Sequence, residues 1–170
     1  KLAVDGEVLA YDDDNSYRDF VYDNYMDKDT SCDDRIQKEL LGEIMDGDYD
    51  TLDAQGRARF IMDTIAFFAD EYEYTLSPGV TPVAKDYVEY FLFEQKKGLC
   101  THFASAAVMI FRSVGIPARY VEGFVIPQSL YTGNPVSKKE ATVRENGGLK
   151  KEMWEYYDIE LTDRYAHAWV

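Results

Sequence analysis

Residues 98 to 117 read GLCTHFASAAVMIFRSVGIP, an apolar, alanine-rich stretch with a cysteine near its beginning. The spacing of its apolar side chains predicts a helix over residues 101 to 114. Gly115 and Pro117 end that helix, because glycine is favoured just past the last turn and proline cannot continue a helix. The sequence therefore predicts an apolar helix that begins at Cys100.

A cysteine at the start of a helix has a possible chemical use. Free N–H groups and the positive end of the helix dipole lie beside the sulfur, and they favour the thiolate, which is the nucleophile. The same N–H groups can stabilise the oxyanion that forms when a thiolate attacks a carbonyl. Gly98, two residues earlier, is expected to let the chain turn sharply into the helix. The alternative is a small buried hydrophobic residue, and spacing alone favours that alternative.

A cysteine nucleophile needs a base, which is usually a histidine brought close by the fold. The chain has two histidines, and His102 lies on the same helix as Cys100 but points to a different face. Residues 166 to 170 have a strand pattern whose alternation places His167 and Trp169 on one face. We therefore expect His167 to be the base. Cys100 and His167 alone do not make a zinc site, and no metal or cofactor is predicted.

Three helices are predicted in the first half of the chain. Apolar residues recur at helical spacing over residues 17 to 25, over residues 36 to 45, and from about residue 52 to residue 72. The third helix is the most hydrophobic of the three.

Strand patterns follow in the second half. Residues 86 to 93 are ambiguous between a short helix and a strand, whereas β-branched and aromatic residues predict a strand over 118 to 126. Residues 128 to 149 are rich in polar residues and glycine and are predicted to be a long surface loop. Further strands are predicted over 154 to 161 and from residue 166.

The order of these elements, helices first and strands afterwards, argues for an α+β fold. The 170 residues, of which 46% are hydrophobic, fit one domain with a sizeable core. Within it we predict a helical N-terminal part over residues 1 to 75 and a catalytic core over residues 76 to 170. Because the sequence begins at Lys1 rather than at a methionine, we expect it to be part of a longer protein whose flanks carry a membrane anchor or an export signal.

The charge of the chain excludes some partners. The formal net charge is −14, which repels the phosphates of nucleic acids and the surface of an anionic membrane. No apolar run approaches the roughly 20 residues that span a bilayer. Alternating carboxylates at residues 46 to 50 resemble a calcium loop, but an EF-hand would need glycine at 51 and glutamate at 57, where Thr51 and Arg57 stand.

Four segments together resemble the core of bacterial transglutaminase-like domains, and within that superfamily they look most like the TgpA-type branch. These segments are Phe91 to Glu94, Gly98 to Ala106, Gly115 to Phe124 and Ala166 to Val170.

The resemblance implies a papain-like α+β fold, in which the buried cysteine-bearing helix packs on an antiparallel sheet. It implies that Cys100 is the nucleophile and His167 the base, with architectural roles for Arg119 and Gly123. It also implies an extracytoplasmic domain of a membrane protein, at the cell surface or anchored in the membrane.

The chain departs from the family pattern at three places. In the family, the acid that orients the histidine lies on the strand after the one that carries His167, which here would be beyond Val170. We therefore expect the sheet to be truncated there. Without that acid, we expect the 170 residues by themselves to be inactive. Asp163 is a weak substitute for that acid. Leu99 stands where an aromatic residue is more usual, and Tyr165 stands where an acidic residue is often found.

The expected reaction is thiol-dependent acyl transfer on the amide of a peptide or a glutamine side chain, through a thioester that passes to water or to an amine. Water would make the protein a protease or amidase, and we favour hydrolysis slightly. The alternative is a non-catalytic extracellular module that binds peptide or cell-wall material; it is motivated by the absent acid and by the loop over 128 to 149.

Two further assignments concern the site. The second donor to the oxyanion is left open, with Gln95, Tyr72, Tyr74 and the tryptophans as candidates. Cys32 is expected to be an unreactive thiol at an acidic surface, because neighbouring carboxylates disfavour its thiolate.

Overall fold

The structure is a computed structural model that describes residues 3–4, 7–8, 16–47, 49, 52–130, 137–145 and 148–170, with the backbone alone at 3–4, 7–8 and 144–145. The chain divides into two compact units. The helical unit comprises Ser16–Gly123 and His167–Val170, and the hairpin unit comprises Lys1–Asn15 and Phe124–Ala166. The division between residues 75 and 76 stays a prediction.

The described residues of the helical unit form six α-helices. They are α1 (Ser16–Asn24), α2 (Thr30–Arg35), α3 (Leu41–Ile44), α4 (Ala54–Glu71), α5 (Tyr87–Tyr90) and α6 (Cys100–Ser113), with π-helical turns at Ile36–Leu40 and Phe91–Gln95. The helices predicted over 17–25, about 52–72 and 101–114 are confirmed within one or two residues at each end. The second predicted helix begins earlier, at Thr30, and the ambiguous segment 86–93 is helical.

Aspartates fix three of these helix starts. Asp29, Asp53 and Asp86 precede α2, α4 and α5, and the side chain of each accepts hydrogen bonds from main-chain N–H groups of the first turn. Such N-caps satisfy donors that have no partner inside the helix. The cap at Asp86 decides that 87–90 is a helix rather than a strand.

The core of the helical unit is built around α6. Ala106 and Ile110 are fully buried, and Phe111 packs edge-on against Phe60 of α4 at 6.5 Å between ring centroids. The predicted burial of the cysteine-bearing helix is confirmed, since α6 buries seven of its residues. Arg119, just beyond α6, lies 5.5 Å from the ring of Tyr25 and donates to its hydroxyl at 3.3 Å, which fits the expected architectural role.

Two pairs of short strands position the candidate site, one immediately before α6 and one that includes His167. Strand β3 (Glu73–Tyr74) pairs in parallel with β4 (Lys97–Gly98), immediately before α6. Strand β5 (Val121–Phe124) pairs with β8 (Ala166–Trp169). The strands predicted over 118–126 and from 166 are thus confirmed, although the first is shorter than expected.

The hairpin unit corrects one prediction. Strands β6 (Ser137–Glu145) and β7 (Gly148–Tyr156) form an antiparallel ribbon, so most of the described part of the segment 128–149 is strand rather than loop, and the predicted strand over 154–161 ends at residue 156. The loop prediction was wrong because a composition rich in polar residues and glycine does not show which lysines and glutamates face each other across strands. They pair across the strands instead, Lys151 with Glu140 at 2.7 Å and Lys138 with Glu155 at 2.8 Å. Strands β1 (Ala3–Val4) and β2 (Glu7–Val8) also pair in this unit.

Candidate active site

Cys100 is the first residue of α6, as the sequence predicts. Leu99 precedes it in an extended conformation, and the first helical hydrogen bond runs from the N–H of His102 to the carbonyl of Leu99 at 2.9 Å. The N–H groups of Cys100 and Thr101 come before that bond, so helix geometry leaves them available to a ligand. The Cys100 thiol is free and partly exposed.

His102 holds the chain where it enters α6. Its Nδ1 accepts a hydrogen bond from the N–H of Leu99 at 3.3 Å, and its ring packs 4.6 Å from that of Tyr87. Only 7% of the residue is exposed, and this burial holds the pKa of the imidazole below its usual value. His102 is therefore a neutral hydrogen-bond acceptor in the core.

Gly98 is required for a reason that the sequence does not reveal. Its φ is not positive, so the sharp-turn explanation is wrong. A Cβ at this position would lie 2.6 Å from Cβ of His102 and 2.9 Å from Cε2 of Phe91. The absence of a side chain lets β4 approach α6 closely, and this contact sets the position of Cys100.

His167 lies on β8 with the alternation that the sequence predicts. The rings of His167 and Trp169 stack at 5.9 Å with 23° between their planes, while Ala168 on the opposite face is buried. Trp169 lies close over Gly123, where an added Cβ would be 3.1 Å from the indole. The exposed imidazole and the indole therefore form one surface.

Cys100 and His167 line the same cavity, of about 320 Å³. Its other lining residues are apolar, small or aromatic: Phe68, Tyr74, Phe103, Ala104, Ala107, Ala168, Trp169 and Val170. One wall is a stacked pair, Tyr74 on Phe103 at 5.9 Å. A larger apolar cavity of about 560 Å³ shares Phe68, Ala107, Trp169 and Val170 with it but is not lined by Cys100 or His167. Among the described residues, the smaller cavity is thus lined by both the thiol of Cys100 and the imidazole of His167.

Hydroxyl groups that the sequence did not point to lie near the thiol. The hydroxyl of Tyr87 is 3.0 Å from Oγ1 of Thr101, the residue next to Cys100. Tyr120 donates to the carboxylate of Glu122. Burial, the hydrogen bond with Glu122 and the charge of Cys100 together raise the pKa of Tyr120 to about 12. Tyr87 and Thr101 lie on different helices, α5 and α6, so only the fold brings their hydroxyls together.

Two of the candidates for a second oxyanion donor are committed elsewhere. The amide of Gln95 donates to the carbonyl of Pro78. The hydroxyl of Tyr72 donates to the buried carbonyl of Leu92 at 2.8 Å. Two others, Tyr74 and Trp169, line the cavity together with Cys100.

Cys32 is buried, whereas the sequence predicted a position at the surface. Only 1% of it is exposed, and burial, followed by the charges of Asp86 and Glu89, raises the pKa of its thiol to about 12. The expected lack of reactivity therefore has burial as its main cause. Both cysteines are free.

The described residues contain no cluster of three or more histidine, cysteine or carboxylate side chains that would hold a metal ion. In the acidic segment 46–50, Asp48 and Asp50 lie outside the described residues, as does Thr51. Asp163 belongs to a 3₁₀ turn (Asp163–Tyr165) of the hairpin unit. None of the described helices combines the length and the apolarity that a membrane span requires.

A model of the transglutaminase-like superfamily matches residues 39–170. An uncharacterized protein of Bacillus subtilis, YebA, is 32% identical over 148 residues, which are 87% of this chain and 17% of that protein. A protein-glutamine gamma-glutamyltransferase of Pseudomonas aeruginosa is 41% identical over 58 residues, 34% of this chain and 8% of that protein.

Among solved structures, the periplasmic domain of TgpA from Pseudomonas aeruginosa, bound to ethylmercury, matches with a TM-score of 0.53 and 22% identity. The match covers 89% of this chain and 43% of that one, and it confirms the α+β fold. The chain spans about a sixth of the length of the Bacillus protein and less than half of the solved domain.

Proposed function

The chain belongs to the transglutaminase-like superfamily, whose general chemistry is thiol-dependent acyl transfer, and on that premise we propose that Cys100 is the nucleophile and His167 the base of an acyl-transfer site. One observation carries the proposal: the two side chains line a single apolar cavity, with the thiol at the exposed start of a buried helix. A cysteine that only filled the core would not share a cavity with an exposed imidazole.

The reaction has two steps. In the first, the Cys100 thiolate attacks the amide carbonyl, a C–S bond forms, and the electron pair of the C=O bond moves to oxygen. The N–H groups at the start of α6 stabilise this oxyanion, and His167 gives its proton to the leaving amine as the thioester forms. In the second, His167 takes a proton from water or an amine as that group attacks the thioester and releases the thiolate.

The substrate we propose is a protein or peptide, with the acyl group supplied by a glutamine side chain or a peptide bond. The aromatic wall of Tyr74 and Phe103 suits the apolar part of such a substrate. His167 is solvent-exposed, so water reaches the base and is the acceptor when no amine is bound. Hydrolysis is therefore the default reaction, and transfer to an amine competes with it.

We also propose an extracytoplasmic location, the compartment of the solved TgpA domain, with any membrane anchor outside the 170 residues. Alkaline phosphatase is active only after export, so a fusion to the full-length protein tests this. An inactive fusion would place the domain in the cytoplasm.

The test of the reaction is ammonia release from a glutamine-containing peptide, with and without a fluorescent alkylamine, by the purified full-length protein. We expect Cys100→Ala and His167→Gln to remove both ammonia release and amine incorporation, and Cys32→Ala to leave them unchanged. Retained turnover in Cys100→Ala would overturn the assignment. If the wild-type protein binds the peptide without releasing ammonia or cleaving it, the cleft is a binding module.

A further inference from the structure

Tyr87 is fixed at the start of the helix that carries Cys100. It is the first residue of α5, and its ring packs 4.6 Å from that of His102 in the first turn of α6. Its hydroxyl lies 3.0 Å from Oγ1 of Thr101. The ring contact and the hydrogen bond hold the phenol against the side chains of the first turn of α6.

The hydroxyl is also within the electric field of the thiol. Burial raises the pKa of Tyr87, and the charge of Cys100 raises it further, although the hydrogen bond with Thr101 lowers it. A phenol with a raised pKa keeps its proton at neutral pH. Tyr87 is therefore an O–H donor when the thiolate reacts.

Three other polar side chains already donate elsewhere. Tyr120 donates to Glu122, Tyr72 to a main-chain carbonyl, and Gln95 to another. The partner of Tyr87 is a hydroxyl, which can donate as well as accept. When Thr101 donates to Tyr87, the proton of Tyr87 is available to a substrate oxygen.

We propose that the hydroxyl of Tyr87 donates a hydrogen bond to the oxyanion, alongside the N–H of Cys100, and so is a catalytic residue. This inference rests on the proposed function of Cys100. As the C–S bond forms, the carbonyl electron pair moves to oxygen and the Tyr87 O–H bonds to it without giving up its proton. When the C=O bond re-forms and the amine leaves with a proton from His167, the hydroxyl returns to Thr101.

The proposal is tested with two reagents that attack the same sulfur by different routes. Acylation by p-nitrophenyl acetate passes through a tetrahedral oxyanion, whereas alkylation by iodoacetamide displaces iodide from carbon and forms none. Removing one oxyanion donor slows acyl transfer by about 10²- to 10³-fold. We therefore expect Tyr87→Phe in the full-length protein to slow acylation by about 10²-fold and to leave the alkylation rate of Cys100 within about twofold.

Tyr90→Phe is the matched control, because Tyr90 ends the same helix and contacts Lys85. It should change neither rate. Equal slowing of both reactions in Tyr87→Phe would mean that Tyr87 positions the thiolate, and an unchanged acylation rate would mean that it does not act; either result overturns the proposal.

Thr101 supplies a second variant if Tyr87→Phe does not fold. Thr101→Val removes the bond that orients the Tyr87 hydroxyl, so acylation should slow while alkylation is kept, and Thr101→Ser should restore acylation. Equal acylation rates in Thr101→Val and Thr101→Ser would refute the inference. Cys100→Ala separates the two proposals: if ester turnover survives in it, the nucleophile assignment fails and the role of Tyr87 fails with it, whereas loss of turnover in Cys100→Ala together with unchanged acylation in Tyr87→Phe would overturn the role of Tyr87 alone.

Discussion

Replacing Gly98 by alanine tests the close approach of β4 to α6. The new Cβ would lie 2.6 Å from Cβ of His102 and 2.9 Å from Cε2 of Phe91, and both neighbours are buried. An ordinary contact begins at 3.4 Å, so Cβ of His102 must withdraw by about 0.8 Å. His102 is itself held by the N–H of Leu99 and by the ring of Tyr87, so the shift must move the start of α6.

Overpacking of this kind costs about 1–3 kcal/mol. For a chain of this length each kcal/mol lowers the melting temperature by about 2–4 °C, so we expect Gly98→Ala to melt about 2–12 °C below the wild type. The measurement is thermal unfolding followed by circular dichroism. Because the start of α6 moves, acylation of Cys100 should also slow.

Gly42→Ala is the matched control. Gly42 is exposed on α3, and an added Cβ would meet nothing within 4 Å. Alanine in a helix is more stable than glycine by about 0.5–1 kcal/mol, so this variant should melt at or above the wild-type temperature. The close-packing argument is refuted if Gly98→Ala melts no lower than the wild type.

Three further predictions follow from burial. Burial and nearby carboxylates raise the pKa of the Cys32 thiol to about 12, so iodoacetamide at pH 7.5 should label Cys100 alone in the native protein. Mass spectrometry of the digested protein measures the labelling, and labelled Cys32 would contradict the prediction. Burial also holds the pKa of His102 below its value in the unfolded chain, about 6.5, so the unfolded state takes up a proton first and stability declines as the pH falls below about 7. Urea unfolding should show a smaller decline over that range in His102→Gln, and an identical decline would exclude His102 as the source. Tyr72→Phe leaves a buried carbonyl without its donor and should cost about 1–3 kcal/mol in the same assay, whereas no loss would mean that water replaces the hydroxyl.

Local patterns made several features predictable. Helix α6 and its cysteine at the first position follow from apolar spacing and from Gly115 and Pro117, which are neighbours along the chain. The face shared by His167 and Trp169 follows from the alternation of any strand. These features depend on residues within a few positions of one another, so the sequence contains their cause.

The features that were missed depend on distant partners. The ribbon of β6 and β7 depends on lysines and glutamates that pair across strands, and the burial of Cys32 depends on packing against other helices. No sequence pattern indicated Tyr87, because its partner Thr101 is 14 positions away and contacts it only when α5 packs on α6.

Composition and periodicity alone therefore established an α+β chain with a cysteine at the start of a buried helix and a histidine on a later strand. Only the tertiary structure placed both in one cavity, explained Gly98 by a 2.6 Å approach rather than by a turn, and brought a tyrosine hydroxyl to the start of α6. The physical reason is the difference in sequence separation between the two kinds of feature. Periodicity records which face of an element is apolar, whereas the contacts of a site join elements that are far apart in sequence and are specified by packing.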